Sequence, residues 1–117
     1  MVKAITGWLA PIRDKLYQDI ADKVSGMLKE GRVLDVGTGK GWLPIKIAHR
    51  SRGLEIYGLD ISDHEIEAAL KNATASSLPN PPKFQVGSIS SLPFKDESFD
   101  LVVSTFSLHI GLTRREA

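Results

Sequence analysis

The stretch Val33-Leu34-Asp35-Val36-Gly37-Thr38-Gly39-Lys40-Gly41 decides the predicted fold. Its first half is apolar apart from one acid, as in a buried strand, and its second half has glycine at every second position. The next residues, 42–48, are typical of a helix, with Pro44 tolerated in the first turn. A strand, a glycine turn and a helix start together let a ligand approach the backbone closely.

Two common nucleotide motifs do not fit this turn. A Walker A loop requires glycine at Leu34 and serine or threonine at Gly41. A dinucleotide fingerprint fits Gly37 and Gly39, but it requires a small residue where Trp42 stands.

The pattern Asp35-x-Gly37-x-Gly39-x-Gly41 resembles motif I of the class I S-adenosylmethionine (SAM) dependent methyltransferases. In that family the acid orients the turn and the methionine amino group, and the glycines make room for the cofactor. The resemblance therefore implies a cofactor-binding role for Asp35, Gly37, Thr38, Gly39 and Gly41.

Three later segments extend the resemblance over roughly residues 30–110. The strand-like residues 54–59 end in Asp60, and one carboxylate can accept hydrogen bonds from both ribose hydroxyls. Residues 84–89 resemble the third strand and the adenine-contacting turn of the family, and residues 91–104 resemble the segment that enters its fourth strand. The predicted cofactor site is completed by Ile61, Ser88, Ile89 and Ser104.

The order of the segments predicts an α/β fold. Apolar strands alternating with helices indicate a parallel sheet covered on both faces, and right-handed crossovers give the strand order 3-2-1-4. The fold class is a Rossmann-like, doubly wound parallel sheet, that is, the class I methyltransferase fold lacking its C-terminal strands. Ligands of such sheets bind outside the carboxyl ends of the strands, where the winding reverses.

Two helices have clear sequence signals. The first is predicted over residues 12–29, with an apolar stripe of Ile12, Leu16, Ile20, Val24 and Met27 or Leu28. The third has a capping box of Ser62 and Glu65, and its predicted inward face is Ile66, Ala69, Leu70 and Ala73. Trp8 and Tyr17 could lie over the cofactor in a family member, although packing explains them more simply.

The sequence departs from the family in two respects. Ser88 stands where the family commonly has an acid that binds the adenine amino group, so this contact is expected to be weaker. Complete members continue with further helices and three more strands, whereas this chain ends at Ala117, near the expected start of the next helix. The resemblance implies that residues 1–117 are one SAM-binding domain, the N-terminal half of the fold. The chain is then either a fragment truncated at its C-terminus or a natural or degenerate half-domain.

This length leads to a prediction about association. A fourth strand with no neighbour would expose the apolar residues Leu101-Val102-Val103 at the edge of the sheet. Such an edge tends to recruit another strand, so the 117-residue chain alone is predicted to form a homodimer through strand four and its flanking helix, or to aggregate. The alternative is that further residues cover this edge.

Composition excludes several classes of function. The chain has 117 residues, a net charge of +1 and no cysteine, so it has no disulfide framework and no charge pattern for nucleic acid. His64 has no partners at ligand spacing, so no metal site is predicted. Without a signal peptide or an apolar run of membrane-spanning length, the predicted location is cytoplasmic, without membrane insertion.

The favoured function is SAM-dependent methyl transfer to a small molecule. The region from Leu92 to His109 resembles the methyltransferase type 11-like branch, whose acceptors include quinone and sterol precursors. No catalytic residue is identified: His109 is a candidate base, but a histidine at a helix start is the simpler interpretation.

One alternative is a non-catalytic SAM-binding or interaction module. Another alternative is a different enzyme on the same type of site. Trp42 disfavours a nicotinamide oxidoreductase. An aminopropyltransferase needs an acid after strand four to activate an amine, and residues 104–107 contain none.

Overall fold

A computed structural model describes residues 2–90, 98–104 and 109–112, with side chains at 12–90 and 98–104. Along the chain the elements are α1 (Val2–Met27), β1 (Gly31–Val36), α2 (Trp42–Arg50), β2 (Leu54–Asp60), α3 (Asp63–Ala75), β3 (Lys83–Val86), β4 (Leu101–Ser104) and β5 (His109–Leu112).

One sheet with the strand order β3-β2-β1-β4-β5 organises the structure. β1 to β4 are parallel, which confirms the predicted 3-2-1-4 order, and β5 runs antiparallel to β4. Val36 at the end of β1 pairs with Leu59 on one side and Ser104 on the other. The carboxyl ends of these strands therefore meet at one edge, where the predicted binding residues are concentrated.

The main core lies between the sheet and α1 and α2. It contains Ile20, Ala21, Val24, Val33, Leu43, Ile47, Ala48, Leu54, Ile56, Leu101 and Val103, all buried. α2 contacts both α1 and α3, so the three helices share one face of the sheet. The other face holds a smaller cluster of Leu34, Leu59 and Phe99. The three described helices α1, α2 and α3 thus cover the first face, and the smaller cluster lies on the second face.

The register between α1 and α2 is set by polar contacts near their C-termini. Arg50 Nε donates to Asp22 Oδ1 at 2.5 Å, and the hydroxyls of Ser51 and Ser25 are 2.9 Å apart. α1 has 26 residues and α2 has 9, so at 1.5 Å per residue the first part of α1 extends roughly 18 Å beyond the start of α2. This part of α1 projects past the carboxyl edge of the sheet.

Two helix predictions need correction. α1 begins at Val2, not Ile12, because its backbone stays helical through the proline at position 11. The apolar stripe of α1 is also narrower than predicted: Ile20, Ala21 and Val24 are buried, whereas Ile12 is 60% exposed. Leu70 of α3 is 49% exposed, because Ile66, Ala69 and Ala73 already form the buried stripe of that helix.

The prediction that strand four is an uncovered edge is wrong. β5 pairs with all of β4, from Leu101 with Leu112 to Ser104 with His109. β5 is the next described element after β4, and the backbone groups of β4 are paired on both sides. The helix expected near the end of the chain lies outside the described residues. The predicted homodimer through that edge loses its structural basis.

Candidate functional site

The glycine turn adopts a backbone conformation that other residues rarely adopt. Gly37, Gly39 and Gly41 have φ angles of +74°, +56° and +82°. Left-handed angles at alternate positions are the physical reason for glycine at every second position, because side chains with a Cβ are strained there. The turn brings the backbone to the carboxyl edge beside the end of β2.

Most backbone N–H groups of this turn bind within the protein. The donors are Gly37, Thr38, Gly39 and Gly41, and the acceptors are Leu59 O, Asp60 Oδ2 and Thr38 O, at 2.8–3.0 Å. A phosphate group bound at such a turn would require these donors to be free. The hydrogen bonds therefore agree with the exclusion of the Walker A and dinucleotide motifs.

Asp60 connects the turn with the start of α3. Its Oδ2 accepts the N–H of Gly39 at 2.8 Å, and its Oδ1 accepts the N–H of Ser62 at 3.0 Å. Ser62 Oγ in turn accepts the N–H of Glu65, which is the first half of the predicted capping box. In a complete capping box the side chain of Glu65 would accept the N–H of Ser62, but here Asp60 accepts it. Each oxygen of Asp60 retains capacity for a further hydrogen bond, as ribose recognition requires.

A cleft of about 210 Å³ lies beside Asp60, at the carboxyl ends of β1, β2 and β3. It is lined by Val36, Gly37, Leu59, Asp60, Ile61, Gly87, Ser88 and Ile89. Ile61 and Ile89 are 77% and 60% exposed, although isoleucine is usually buried. Exposed apolar side chains at the mouth of a cleft, together with a carboxylate, are typical of a small-molecule site.

The turn after β3 forms one wall of this cleft. The N–H of Gly87 donates to Asp60 O at 2.9 Å, which fixes the turn against β2. The hydroxyls of Ser88 and Ser90 are 3.0 Å apart and share a hydrogen bond. Ser88 thus lines the cleft with a neutral hydroxyl that already has a partner. The weaker contact with the adenine amino group stays a prediction.

Asp35 lies beneath the turn and does not line the cleft. It is fully buried, and among the described residues neither of its carboxylate oxygens has a hydrogen-bond partner. Burial raises the pKa of Asp35 to about 7, and the charge of Asp60 adds to the rise. Thr38 is close enough to lower this pKa in part, although its own buried Oγ1 makes no hydrogen bond of ordinary geometry.

Other predicted residues lie near the cleft without lining it. Gly41 is buried, and a Cβ there would lie 2.7 Å from Phe84 Cζ and 2.9 Å from Ala69 Cβ, so this glycine is needed for packing. Ser104 is half-buried at the end of β4, on the opposite side of β1 from the cleft. Its strand partner His109 begins β5, so the prediction of a helix start at His109 is wrong.

Two residues that support the turn are missing from the predicted site. A Cβ on Gly58 would lie 2.6 Å from both Thr38 Oγ1 and Phe84 Cδ1, so glycine in β2 allows the turn to approach. A glycine inside an apolar strand is itself a signal of close approach. Asn72 Nδ2 donates to Lys40 O at 2.9 Å, a contact between distant positions that no local pattern indicates.

Comparison with known proteins identifies the family to which this fold and site belong. The model of the methyltransferase domain family matches residues 33–117. The chain belongs to the class I SAM-dependent methyltransferases. The predicted family resemblance is thereby confirmed, and the strand order agrees with this family's Rossmann-like fold.

Individual relatives of this methyltransferase chain differ in their named activities. It is 32% identical to a ubiquinone/menaquinone biosynthesis C-methyltransferase of Geotalea daltonii, over 88% of this chain and 44% of that protein. It is 31% identical to the mitochondrial arginine-hydroxylase NDUFAF5 of Mus musculus, over 84% of this chain and 27% of that protein. The solved structure of a provisionally assigned SAM-dependent methyltransferase from Methanococcus maripaludis matches with a TM-score of 0.75 and 30% identity. That match covers 87% of this chain and 47% of the other, so the chain spans about half the length of such relatives or less.

Two further properties bear on the class of this methyltransferase domain. Within the described ranges, no group of three or more histidine, cysteine or acidic side chains is arranged to hold a metal ion. None of the described helices has the length and apolar character needed to cross a membrane.

Proposed function

We propose that this chain binds SAM in the cleft beside Asp60 and acts in methyl transfer to a small-molecule acceptor. The observation that carries the proposal is the arrangement at the carboxyl edge. A carboxylate with spare acceptor capacity lies between a glycine turn and two exposed isoleucines, in a family whose members use SAM.

The adenosine part of SAM fits the residues of the cleft. Asp60 would accept from the two ribose hydroxyls while it keeps its bonds to Gly39 and Ser62. Ile61 and Ile89 would pack against the flat adenine ring, and burial of these exposed side chains would contribute to affinity. Ser88 would contact the ring edge through its hydroxyl or its backbone.

The methionine part fits the region of the glycine turn and the end of β4. The backbone of Gly37 lines the cleft, and the buried Asp35 lies directly below the turn without a hydrogen-bonded partner among the described residues. A cationic group above the turn would compensate that acid. Ser104 would border the same region from β4, and Thr38 and Gly41 would act by holding the shape of the turn.

The chemistry places modest demands on the protein. When bound, SAM supplies a methyl group already activated on a sulfonium, so most of the catalysis comes from proximity and alignment. The residues of this chain would therefore hold the cofactor and shape the approach of the acceptor. We assign no catalytic base, because the side chain of His109 lies outside the described residues.

We propose that residues 1–117 form one cofactor-binding unit. The acceptor would approach beside the part of α1 that extends beyond the start of α2. A small acceptor is favoured because the ubiquinone/menaquinone C-methyltransferase of Geotalea daltonii is among the relatives. A chain without cysteine is also consistent with the cytoplasmic location that we propose.

A second candidate function keeps the cofactor site but not the methyl transfer. The relation to the arginine-hydroxylase of Mus musculus indicates that chemistry other than methylation is named within this group of proteins. In that case SAM would still bind through Asp60, but no methylated product would form.

Two measurements test the proposal in order. Calorimetric titration with SAM, S-adenosylhomocysteine and NAD tests the cofactor, and we expect the first two to bind and NAD to fail. A radiolabelled-methyl assay against quinone-like and other small acceptors then tests the reaction. Absence of SAM binding would refute the proposal, whereas binding without transfer to any acceptor would favour the second candidate.

A further inference from the structure

Asp35 is an unusual residue for the interior of this domain. It is a fully buried acid on β1, and among the described residues both its carboxylate oxygens lack a hydrogen-bond donor. Buried carboxylates are normally paired or hydrogen-bonded, because an isolated ionised group loses its hydration. A buried polar group left without partners therefore requires a functional explanation.

Among the residues whose side chains the structure describes, no cation acts on Asp35. Across the sheet, its strand partners are Gly58 and Val103, and the buried side chains of α2 are all apolar. α1 places Tyr17 nearby: burial, and then the charge of Asp35, raises the pKa of this phenol, and the charges of Arg13 and Asp14 act on it as well. β2 ends in the carboxylate of Asp60, and the turn contributes the hydroxyl of Thr38.

These surroundings favour the neutral form of the acid below about pH 7. Burial acts first and the negative charge of Asp60 second, and together they outweigh the opposing effect of Thr38 to raise the pKa of Asp35 to about 7. A positive charge placed close to Asp35 would have the opposite effect and would favour the ionised form.

We propose that cofactor binding is coupled to ionisation of Asp35, so that the free protein holds this carboxyl group neutral and the ammonium group of the bound cofactor holds it ionised. The inference rests on the proposed SAM site. It follows from placement: the acid lies under the turn that borders the cleft, at the end of β1 where the methionine part would lie. Binding then releases a proton whenever the pH is low enough for the free protein to carry one.

This linkage has a defined size and sign. Because the bound form carries fewer protons, affinity rises with pH by up to about tenfold per pH unit while Asp35 is protonated in the free protein. Above the pKa of the free protein, near 7, the dependence disappears. The effect requires an ammonium group on the ligand, so a ligand that has the adenosine part alone should show no dependence.

The experiment compares two ligands by calorimetry between about pH 5.5 and 7.5, a range where an α-ammonium group stays mostly charged. S-Adenosylhomocysteine has the ammonium group, and 5′-methylthioadenosine has the same adenosine and thioether without it. We expect the dissociation constant of S-adenosylhomocysteine to fall by roughly tenfold per pH unit at the acid end, and that of 5′-methylthioadenosine to stay constant. Titration in two buffers of different ionisation enthalpy should show release of a proton for the first ligand alone.

Two variants test whether Asp35 is the group that releases the proton on binding. Asp35→Asn cannot ionise, so S-adenosylhomocysteine should bind it with a pH-independent affinity close to the acid-limit value of the wild-type chain. Asp22→Asn, which changes an exposed acid of α1, should keep the wild-type dependence. The wild-type titrations remain decisive if Asp35→Asn does not fold.

The outcomes separate the two proposals. Equal pH dependence for both ligands, or a constant affinity for S-adenosylhomocysteine without proton release, would overturn the linkage and leave the SAM site intact. Absence of binding by either ligand at every pH would instead overturn the proposed function and the linkage with it.

Discussion

Asp60 at the end of β2 accepts the backbone N–H of Gly39 at 2.8 Å, so the carboxylate expected to bind ribose also holds the glycine turn in place. Its other oxygen binds the N–H of Ser62 and fixes the start of α3. One side chain therefore links the turn, the cleft and the neighbouring helix. Substitutions at Asp60 act on binding and on local structure together, and an experiment has to separate the two effects.

Asp60→Ala should weaken binding of S-adenosylhomocysteine by about 1–3 kcal/mol, because charge-assisted hydrogen bonds to the ribose hydroxyls are lost. Calorimetry measures the affinity, and thermal unfolding reports the structural part of the effect. The matched control is Asp63→Ala, an exposed acid in the first turn of α3 that does not line the cleft. Unchanged affinity of a folded Asp60→Ala variant would remove Asp60 from the site.

Gly39→Val should abolish cofactor binding. A β-branched residue is strained at a φ angle of +56°, so the turn would have to move and its N–H would leave Asp60. The control is Gly26→Val, because a Cβ on that helical glycine meets no atom within 4 Å. If calorimetry of a folded Gly39→Val variant shows normal affinity, the turn has only a structural role.

Gly41→Ala should lower the free energy of unfolding more than it changes the affinity for the cofactor. The added methyl would lie 2.7 Å from Phe84 Cζ and 2.9 Å from Ala69 Cβ, at a φ angle of +82°. Overpacking of this kind costs about 1–3 kcal/mol, which thermal or denaturant unfolding would detect. A variant as stable as the wild-type chain would show that α3 and β3 can move apart without cost.

Sequence reasoning succeeded where the signals are local. The strand order and the location of Asp60 follow from apolar strands and turn residues that lie next to each other in the chain. The packing role of Gly41 was missed because it depends on Phe84, which is distant in sequence and reaches the glycine only in the folded sheet. The burial of Asp35 under the turn was also not predicted, because the motif assigns this residue only a binding role.

The two wrong predictions of a helix start have a related cause. The apolar stripe predicted a helix start at Ile12, yet the backbone of α1 is helical from Val2. The residues after β4 were expected to begin a helix, but 109–112 pair with β4 instead. Short apolar segments favour either structure, and the tertiary partner decides between them.

The stability of the domain should depend on pH through Asp35. Its folded-state pKa of about 7 lies above the ordinary value of 3.8, so the unfolded chain loses this proton first as the pH rises. The stability present below the unfolded value is therefore lost between roughly pH 4 and 7, at about 1.4 kcal/mol per pH unit. Denaturant unfolding of wild type and Asp35→Asn should show this loss in the wild type alone. A parallel pH dependence for the two proteins would contradict it.

The most direct test of the account is to locate the bound ligand by NMR, by titrating the chain with S-adenosylhomocysteine and following backbone amide signals. We expect saturable shifts at the carboxyl edge, centred on Gly37, Asp60, Ile61, Ser88 and Ile89. The clefts at the opposite end of the sheet, around Gly31 and Gly53 and around Asn80 and Lys83, should not respond. Absence of saturable binding, or shifts concentrated at that opposite end, would contradict the assignment of this methyltransferase site.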